Sequence, residues 1–235
     1  MIDKITMLGD FYALDMWNPP HEILSDIERF EDSWYQYNSF KPDIPRQGLC
    51  IINEDGVNKQ GPALDSLLEW NREYNTNYNE LDFNVSTPVY NETILKDFLA
   101  PIRQWCYRSH FLKLPPGGYF PPHRDKSWES IRLILPLFNC NAPLTRFILE
   151  DKTLQWELGR MYFVNTLKEH TLFNASADQD SLQFYEEWGI RDGQYGASDG
   201  FDEVEYILDE KEFRLTPQPI LLTNDVTGKE TDLIY

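Results

Sequence analysis

Residues 115–122 constrain this chain more than any other stretch. They read Pro-Pro-Gly-Gly-Tyr-Phe-Pro-Pro. Such a segment cannot continue a helix, because proline lacks the N–H donor and the paired glycines favour a reversal. The extended run His110-Phe111-Leu112-Lys113-Leu114 therefore ends in a sharp turn. Short apolar stretches follow at residues 131–137, 146–150, 161–164 and 182–188, rich in branched and aromatic side chains. Five or more short strands at this spacing predict a sandwich or barrel. A mainly β fold with flanking helices around a double-stranded β-helix, the jelly-roll or cupin-like barrel, fits best.

The first 105 residues read differently. Between residues 22 and 35, Ile23, Ile27, Phe30 and Trp34 recur at helical spacing, and Pro19-Pro20 stops anything helical upstream. A second helix is expected over 61–70, with Pro62 in its first turn and Leu64, Leu67 and Leu68 on it. Residues 71–80, rich in Asn and Tyr, read as a loop. A third helix is expected from about Glu92, capped by Asn91, with Ile94, Leu95, Phe98 and Leu99 on one face. The expectation is a single domain over 1–235. A mixed helical part (1–105) packs on a barrel (106–190), and an acidic extension (191–235) follows.

At 235 residues and 41% hydrophobic content the chain can bury a sizeable core. Its 21 Lys and Arg stand against 39 Asp and Glu, a formal net charge of −18. That field disfavours nucleic acid and anionic membranes as partners, and weakly favours a neutral or cationic substrate. No apolar run approaches the ~20 residues of a membrane span. The first residues lack the basic and apolar regions of a secretory signal. Cys50, Cys106 and Cys140 are odd in number and far apart, which suits buried thiols in a reducing compartment. A cytoplasmic location is expected. Cys106 and Cys140 have no evident activating partner and are not expected to be nucleophiles.

Chemistry is concentrated in the histidines. There are four. His21 reads as a helix-entry residue and His110 as structural. His123 and Asp125 are two apart, so on an extended strand they point the same way. His170 follows the stretch at 161–164, in a turn that an antiparallel barrel can bring back to His123. Two imidazoles and one carboxylate form the facial triad of non-haem Fe(II). Zinc accepts the same donors, so ligand types alone leave the metal open. Arg132, among Ile131, Leu133, Ile134 and Leu135, is expected to be at least partly buried and so needs an anionic partner, either a protein carboxylate such as Glu186 or Glu187 or a bound acid. Arg146 opens a strand and is either solvated or a second anchor. Trp128, Tyr119 and Trp156 read as packing residues, although Tyr119 is near enough to the motif to line a pocket.

Four segments together carry a resemblance. They are Leu114-Pro115-Pro116-Gly117-Gly118 leading into Pro122-His123, Ile131-Arg132-Leu133-Ile134-Leu135, Trp156-Glu157-Leu158-Gly159-Arg160 turning into Met161-Tyr162-Phe163, and His170-Thr171-Leu172-Phe173-Asn174. Over about a third of its length the chain resembles the aspartyl/asparaginyl β-hydroxylase family of Fe(II)/2-oxoglutarate dioxygenases. The resemblance implies an enzyme that uses Fe(II), 2-oxoglutarate and dioxygen to hydroxylate an unactivated carbon. The substrate would be a peptide or protein side chain, or a free amino acid. It implies His123 and His170 as iron ligands and Arg132 as a contact of 2-oxoglutarate. Asp125 supplies a carboxylate that several members lack.

One departure stands out. The family carries an arginine about ten residues after the distal histidine, to grip the far carboxylate of 2-oxoglutarate. Here that region is Asp178-Gln179-Asp180-Ser181-Leu182-Gln183, with no basic residue. Arg132 or Arg146 replaces it, or the cosubstrate is another acid, or activity has lapsed. Two other readings remain at this point: a cupin-like metal protein without oxygenase activity, and an interaction module with a lapsed site. The complete set His123, Asp125 and His170 argues against the second.

Overall fold

A computed structural model describes residues 9–125, 130–189, 222–224 and 229–231. Its strands are β1 (Phe11–Trp17), β2 (Tyr35–Gln36), β3 (Gln47–Asn53), β4 (Val85–Ser86), β5 (Cys106–Leu114), β6 (Tyr119–His123), β7 (Ser130–Phe138), β8 (Thr145–Leu149), β9 (Lys152–Leu154), β10 (Arg160–Val164), β11 (His170–Asn174), β12 (Ser181–Gly189), β13 (Leu222–Asn224) and β14 (Lys229–Thr231). The eight-stranded sheet runs β1-β10-β7-β12-β5-β3-β2, with β4 beside β3. The four-stranded sheet runs β6-β11-β8-β9. From β5 to β12 the chain deals strands to the two sheets in turn, β8 and β9 forming one hairpin. That alternation is a double-stranded β-helix, as the strand spacing predicts.

The large sheet is buried on both faces, and strand alternation decides which side chain goes where. On β7, Leu133, Leu135 and Leu137 join Ile23, Ile27, Leu95 and Leu99 in a core against the helices. Ile134 points the other way, into the barrel, with Leu112, Phe147, Tyr162 and Leu172. Arg132 shares the parity of Ile134. On β12, Phe184 belongs to the helix-side core and Tyr185 packs on the barrel-side core. The polar residues of the site thus come from the barrel face of strands whose other face is apolar.

The N-terminal part is less helical than its pattern predicts. Helix α1 (Pro20–Ile27) ends where a 3₁₀ turn (Glu28–Ser33) begins, and Phe30 breaks the helical path with φ −110° and ψ 20°. Helix α2 is Leu67–Tyr74, later than expected, because Ser66 is the cap and its hydroxyl accepts from the Glu69 N–H. Leu64 instead packs in a small core with Cys50, Ala63 and Phe83. The third helix is two short pieces, α3 (Pro88–Asn91) and α4 (Leu95–Phe98), and Asn91 closes the first rather than capping the second. Strands β1 to β4, all from this part, extend the large sheet. Of the acidic extension only the β13–β14 hairpin is described. Trp128 and the side chains of Glu186 and Glu187 lie outside the described residues. Among those residues no helix is long and apolar enough to cross a membrane.

Gly159 ties the N-terminal part to the barrel. Its N–H donates to Pro136 O at 2.8 Å and its carbonyl accepts from Asn18 N–H at 2.9 Å. Its φ is +83°, and a Cβ built there would lie 2.2 Å from Asn18 O. Gly159→Ala is expected to cost about 2–3 kcal/mol, since backbone rather than a flexible side chain must give way. Urea unfolding measures it, and an unchanged midpoint would contradict this packing.

Candidate metal centre

β6 tolerates Pro121 and Pro122 because it is the edge of the small sheet, where a missing N–H leaves no ladder bond broken. It ends on His123, which pairs directly across from His170, the first residue of β11. The two rings lie 4.2 Å apart between centroids. Asp125 follows two residues after His123, and its N–H donates to Thr166 O at 2.9 Å. One donor atom from each of His123, Asp125 and His170 falls in a cluster whose members are all within 4.8 Å of one another. The structure therefore brings the three residues of the sequence motif together.

The local hydrogen bonds prepare these donors. His123 Nδ1 meets Pro121 O at 2.8 Å, and His170 Nδ1 meets Lys168 O at 3.0 Å. A carbonyl only accepts, so each Nδ1 carries the proton and each Nε2 keeps its lone pair. His170 is held below the usual histidine range by burial first, with Asp125 opposing and His123 and Arg132 adding to it. Its ring stacks on Phe147 at 5.7 Å and 2°. Asp125 divides its carboxylate. Oδ1 faces His123 Nε2 at 3.7 Å, and Oδ2 accepts from Arg132 Nη2 at 3.0 Å. Burial alone would raise its pKa, but the charges of Arg132 and His170 and a hydrogen bond from Thr166 bring it down to about 2. Two imidazole nitrogen donors and one carboxylate on one side of a cavity suit a divalent metal and leave positions open.

Two cavities meet at this cluster. The inner, about 60 Å³, reaches between the sheets to His110, Leu112, Phe147, Leu172 and Tyr185. The outer, about 500 Å³, extends towards Asn38, Lys41, Arg46 and Arg108. Tyr37, Phe120, His123, Asp125, Arg132 and Thr166 border both. Arg132 thus stands at the metal cluster. Arg146 does not border either cavity: it alternates with Phe147, whose ring is the one facing in. Tyr119 is exposed, and its neighbour Phe120 lines the cavities instead.

Several lining residues have no signature in the sequence. His110 reads there as structural, but it lines the inner cavity, buried, with Nδ1 unpartnered. Burial, then the charges of Arg108 and Arg132, hold it neutral. Arg46 is 3% exposed, and its Nε and Nη2 have no hydrogen-bond partner. Its guanidinium lies 4.3 Å from the Phe120 ring centroid and 5.6 Å from that of Tyr37. Cation–π contact of this kind contributes about 0.5–2 kcal/mol. Burial pushes its pKa down, and Tyr37, Tyr119 and Glu69 oppose this only in part, so the guanidinium is left without a full hydrogen-bonded partner. Thr166 had only one available signal, its place a few residues before His170.

The profile of the family described as aspartyl/asparaginyl beta-hydroxylase matches residues 54–181, more than half of the chain. The chain belongs to that family. It is accordingly an Fe(II)/2-oxoglutarate-dependent hydroxylase with a jelly-roll core. The matched segment contains His123, Asp125, His170 and Arg132, and ends one residue past Asp180. Among solved structures, a Pseudomonas putida prolyl-4-hydroxylase is similar at 13% identity, over 80% of this chain and 96% of that one, with a TM-score of 0.44. HygX from Streptomyces hygroscopicus, solved with nickel, 2-oxoglutarate and hygromycin B bound, is similar at 11% identity, over 79% and 85%, with a TM-score of 0.48. No curated protein matches this β-hydroxylase family member in sequence.

The Asp125–Arg132 pair gives a prediction for the metal-free protein. A carboxylate lowered from 3.8 to about 2 contributes stability that is present above the unfolded-chain value and lost as the pH falls through the folded one. Arg132 supplies the largest but not the only lowering of Asp125, so Arg132→Met is expected to unfold more easily than the wild type by about 1–2 kcal/mol near pH 6. The gap should narrow on acidification from about pH 4 to about pH 2. Denaturant titrations across that range measure it, and a gap independent of pH would mean that the pair is not its source.

Proposed function

We propose that His123, Asp125 and His170 hold the Fe(II) of this hydroxylase and that Arg132 positions Asp125 beside the bound 2-oxoglutarate. The substrate is a side chain of a peptide or protein, or a free amino acid. The convergence of three donor atoms, both imidazoles with Nε2 free, carries the assignment. The residues fit ferrous iron: the carboxylate offsets part of its charge and the nitrogens are borderline donors. They would also accept zinc, and it is family membership that favours iron.

Fe(II) and 2-oxoglutarate, when bound, supply the dioxygen-dependent oxidation that places a hydroxyl on an unactivated carbon. The chain's own residues do the rest. Arg132 takes Asp125 Oδ2 and so leaves Oδ1 on the side of His123. Pro121 O and Lys168 O orient the two imidazoles. Leu112, Phe147 and Leu172 supply apolar walls to the inner cavity beside the polar His110 and Tyr185, and help keep bulk water from the reacting centre. The outer cavity gives the substrate its way in, with dioxygen as second partner. The net charge of −18 makes nucleic acid an unsuitable substrate. Three free, buried cysteines favour the cytoplasm.

His123→Ala, Asp125→Ala and His170→Ala should each lower Mn(II) affinity, read by calorimetry as a redox-stable substitute for Fe(II), by more than about 100-fold. That exceeds what loss of an outer-shell partner costs. Arg132→Met, as such a partner of Asp125, should lose about 10–100-fold. Thermal unfolding of the metal-free variants checks that the barrel persists. Wild-type affinity in any of the three alanine variants would remove that residue from the ligand set.

A further inference from the structure

The resemblance implies a basic residue about ten positions after His170 for the far carboxylate of 2-oxoglutarate, and this chain has none there. β12 carries no Lys or Arg along its length. Asp180, ten residues after His170, borders neither cavity and offers its carbonyl to Asn139. Arg132 is engaged with Asp125 Oδ2. Arg146 borders neither cavity. In the outer cavity Arg108 pairs with Glu80 at 2.9 Å and Lys41 with Glu69 at 3.7 Å. Arg124 is exposed there, where solvent screens its charge.

Arg46 differs from all of these. It is buried, it lines the cavity that contains His123 and Asp125, and two of its nitrogens have no partner. Phe120 connects it to the metal cluster: the ring centroid is 4.3 Å from the guanidinium and 6.1 Å from the His123 ring. A guanidinium fork without an acceptor, next to a site that takes a dicarboxylate, is complementary to the end of that acid that the metal does not hold. The aromatic rings of Tyr37 and Phe120 keep its plane fixed, so little freedom is lost when an acceptor arrives. Arg46 precedes the segment that matches the family, so it is no part of the family pattern.

We propose that Arg46 is the residue that binds the distal carboxylate of 2-oxoglutarate in this enzyme. This rests on the metal centre assigned above. The site would then have kept its cosubstrate with the anchor on the residue that precedes β3. Arg46 is a binding residue in this account, and its loss acts on affinity for one end of the acid, leaving metal binding unchanged.

The test compares 2-oxoglutarate with 2-oxovalerate, which has the same chain length and no distal carboxylate. Each is titrated anaerobically by calorimetry into the Mn(II)-loaded protein. The wild type should prefer 2-oxoglutarate. Arg46→Met should lose about 30-fold in 2-oxoglutarate affinity, the loss expected for a charge-assisted hydrogen-bonded pair. It should bind 2-oxovalerate within about twofold of the wild type and Mn(II) equally well. Arg46→Lys, which keeps the charge without the fork, should recover part of the loss. Without ligand, Arg46→Met should be no less thermally stable, since it removes a buried guanidinium with two nitrogens lacking a hydrogen-bond partner. Unchanged 2-oxoglutarate affinity in Arg46→Met, or equal wild-type affinity for the two acids, overturns the proposal and leaves the metal centre standing. A wild type that binds Mn(II) but neither acid overturns the cosubstrate reading itself, and the Arg46 assignment with it.

Discussion

The register between β6 and β11 is the constraint on which this site depends. It sets His123 opposite His170 in one antiparallel pair. A slip of β6 by one residue would turn His123 to the other face of the small sheet, away from His170. Neighbouring contacts fix that register. β11 is held on its other side by β8, with His170 across from Leu149. Thr171 Oγ1 donates to Phe120 O at 2.6 Å, and the turn before β6 is closed by Gly117 N–H to Asn174 O at 3.0 Å. The Pro-Gly segment, unsuited to a helix, becomes the device that starts the metal-bearing strand in place.

Electrostatics complete what register begins. The protein has an acidic balance overall, yet Arg132 and Arg46 stand at the cavities beside the triad. Net charge speaks for the surface; a buried guanidinium speaks for the ligand it meets. An acidic chain can therefore take an anionic cosubstrate. Arg132 lowers the cost of an ionised Asp125, and the neutral groups His110, Tyr37 and Tyr185 line the cavity without competing for the metal.

Legibility in the sequence followed the physics of each element. β5, β7, β8, β10 and β12 were readable because a strand covered on one or both faces must be apolar in alternation or throughout. β6 was not, since its prolines are allowed only by its place at an edge. The helix boundaries differ locally: Ser66 caps α2 later than the leucine pattern suggests, and the 3₁₀ turn that holds Phe30 follows α1 after Ile27. That His123, Asp125 and His170 come together was readable because the spacing is short-range on one side and these donors are rare residue types. Arg46 was not readable. Its approach to the site comes from pairing β3 with β5, Gln47 opposite Lys113, which no local pattern encodes. The same holds for the place of His110 between Tyr37 and Tyr185, at 5.0 and 5.9 Å between ring centroids, which no local pattern encodes.

The central claim is that this barrel holds one ferrous ion on His123, Asp125 and His170 and presents it to a 2-oxo acid. The most direct measurement is anaerobic addition of Fe(II) and then 2-oxoglutarate to the metal-free protein, followed by visible absorption. The account predicts a saturable charge-transfer band at one equivalent of iron in the wild type and none in His170→Ala. Tight iron binding with no band on adding 2-oxoglutarate, or a band that survives His170→Ala, would contradict it.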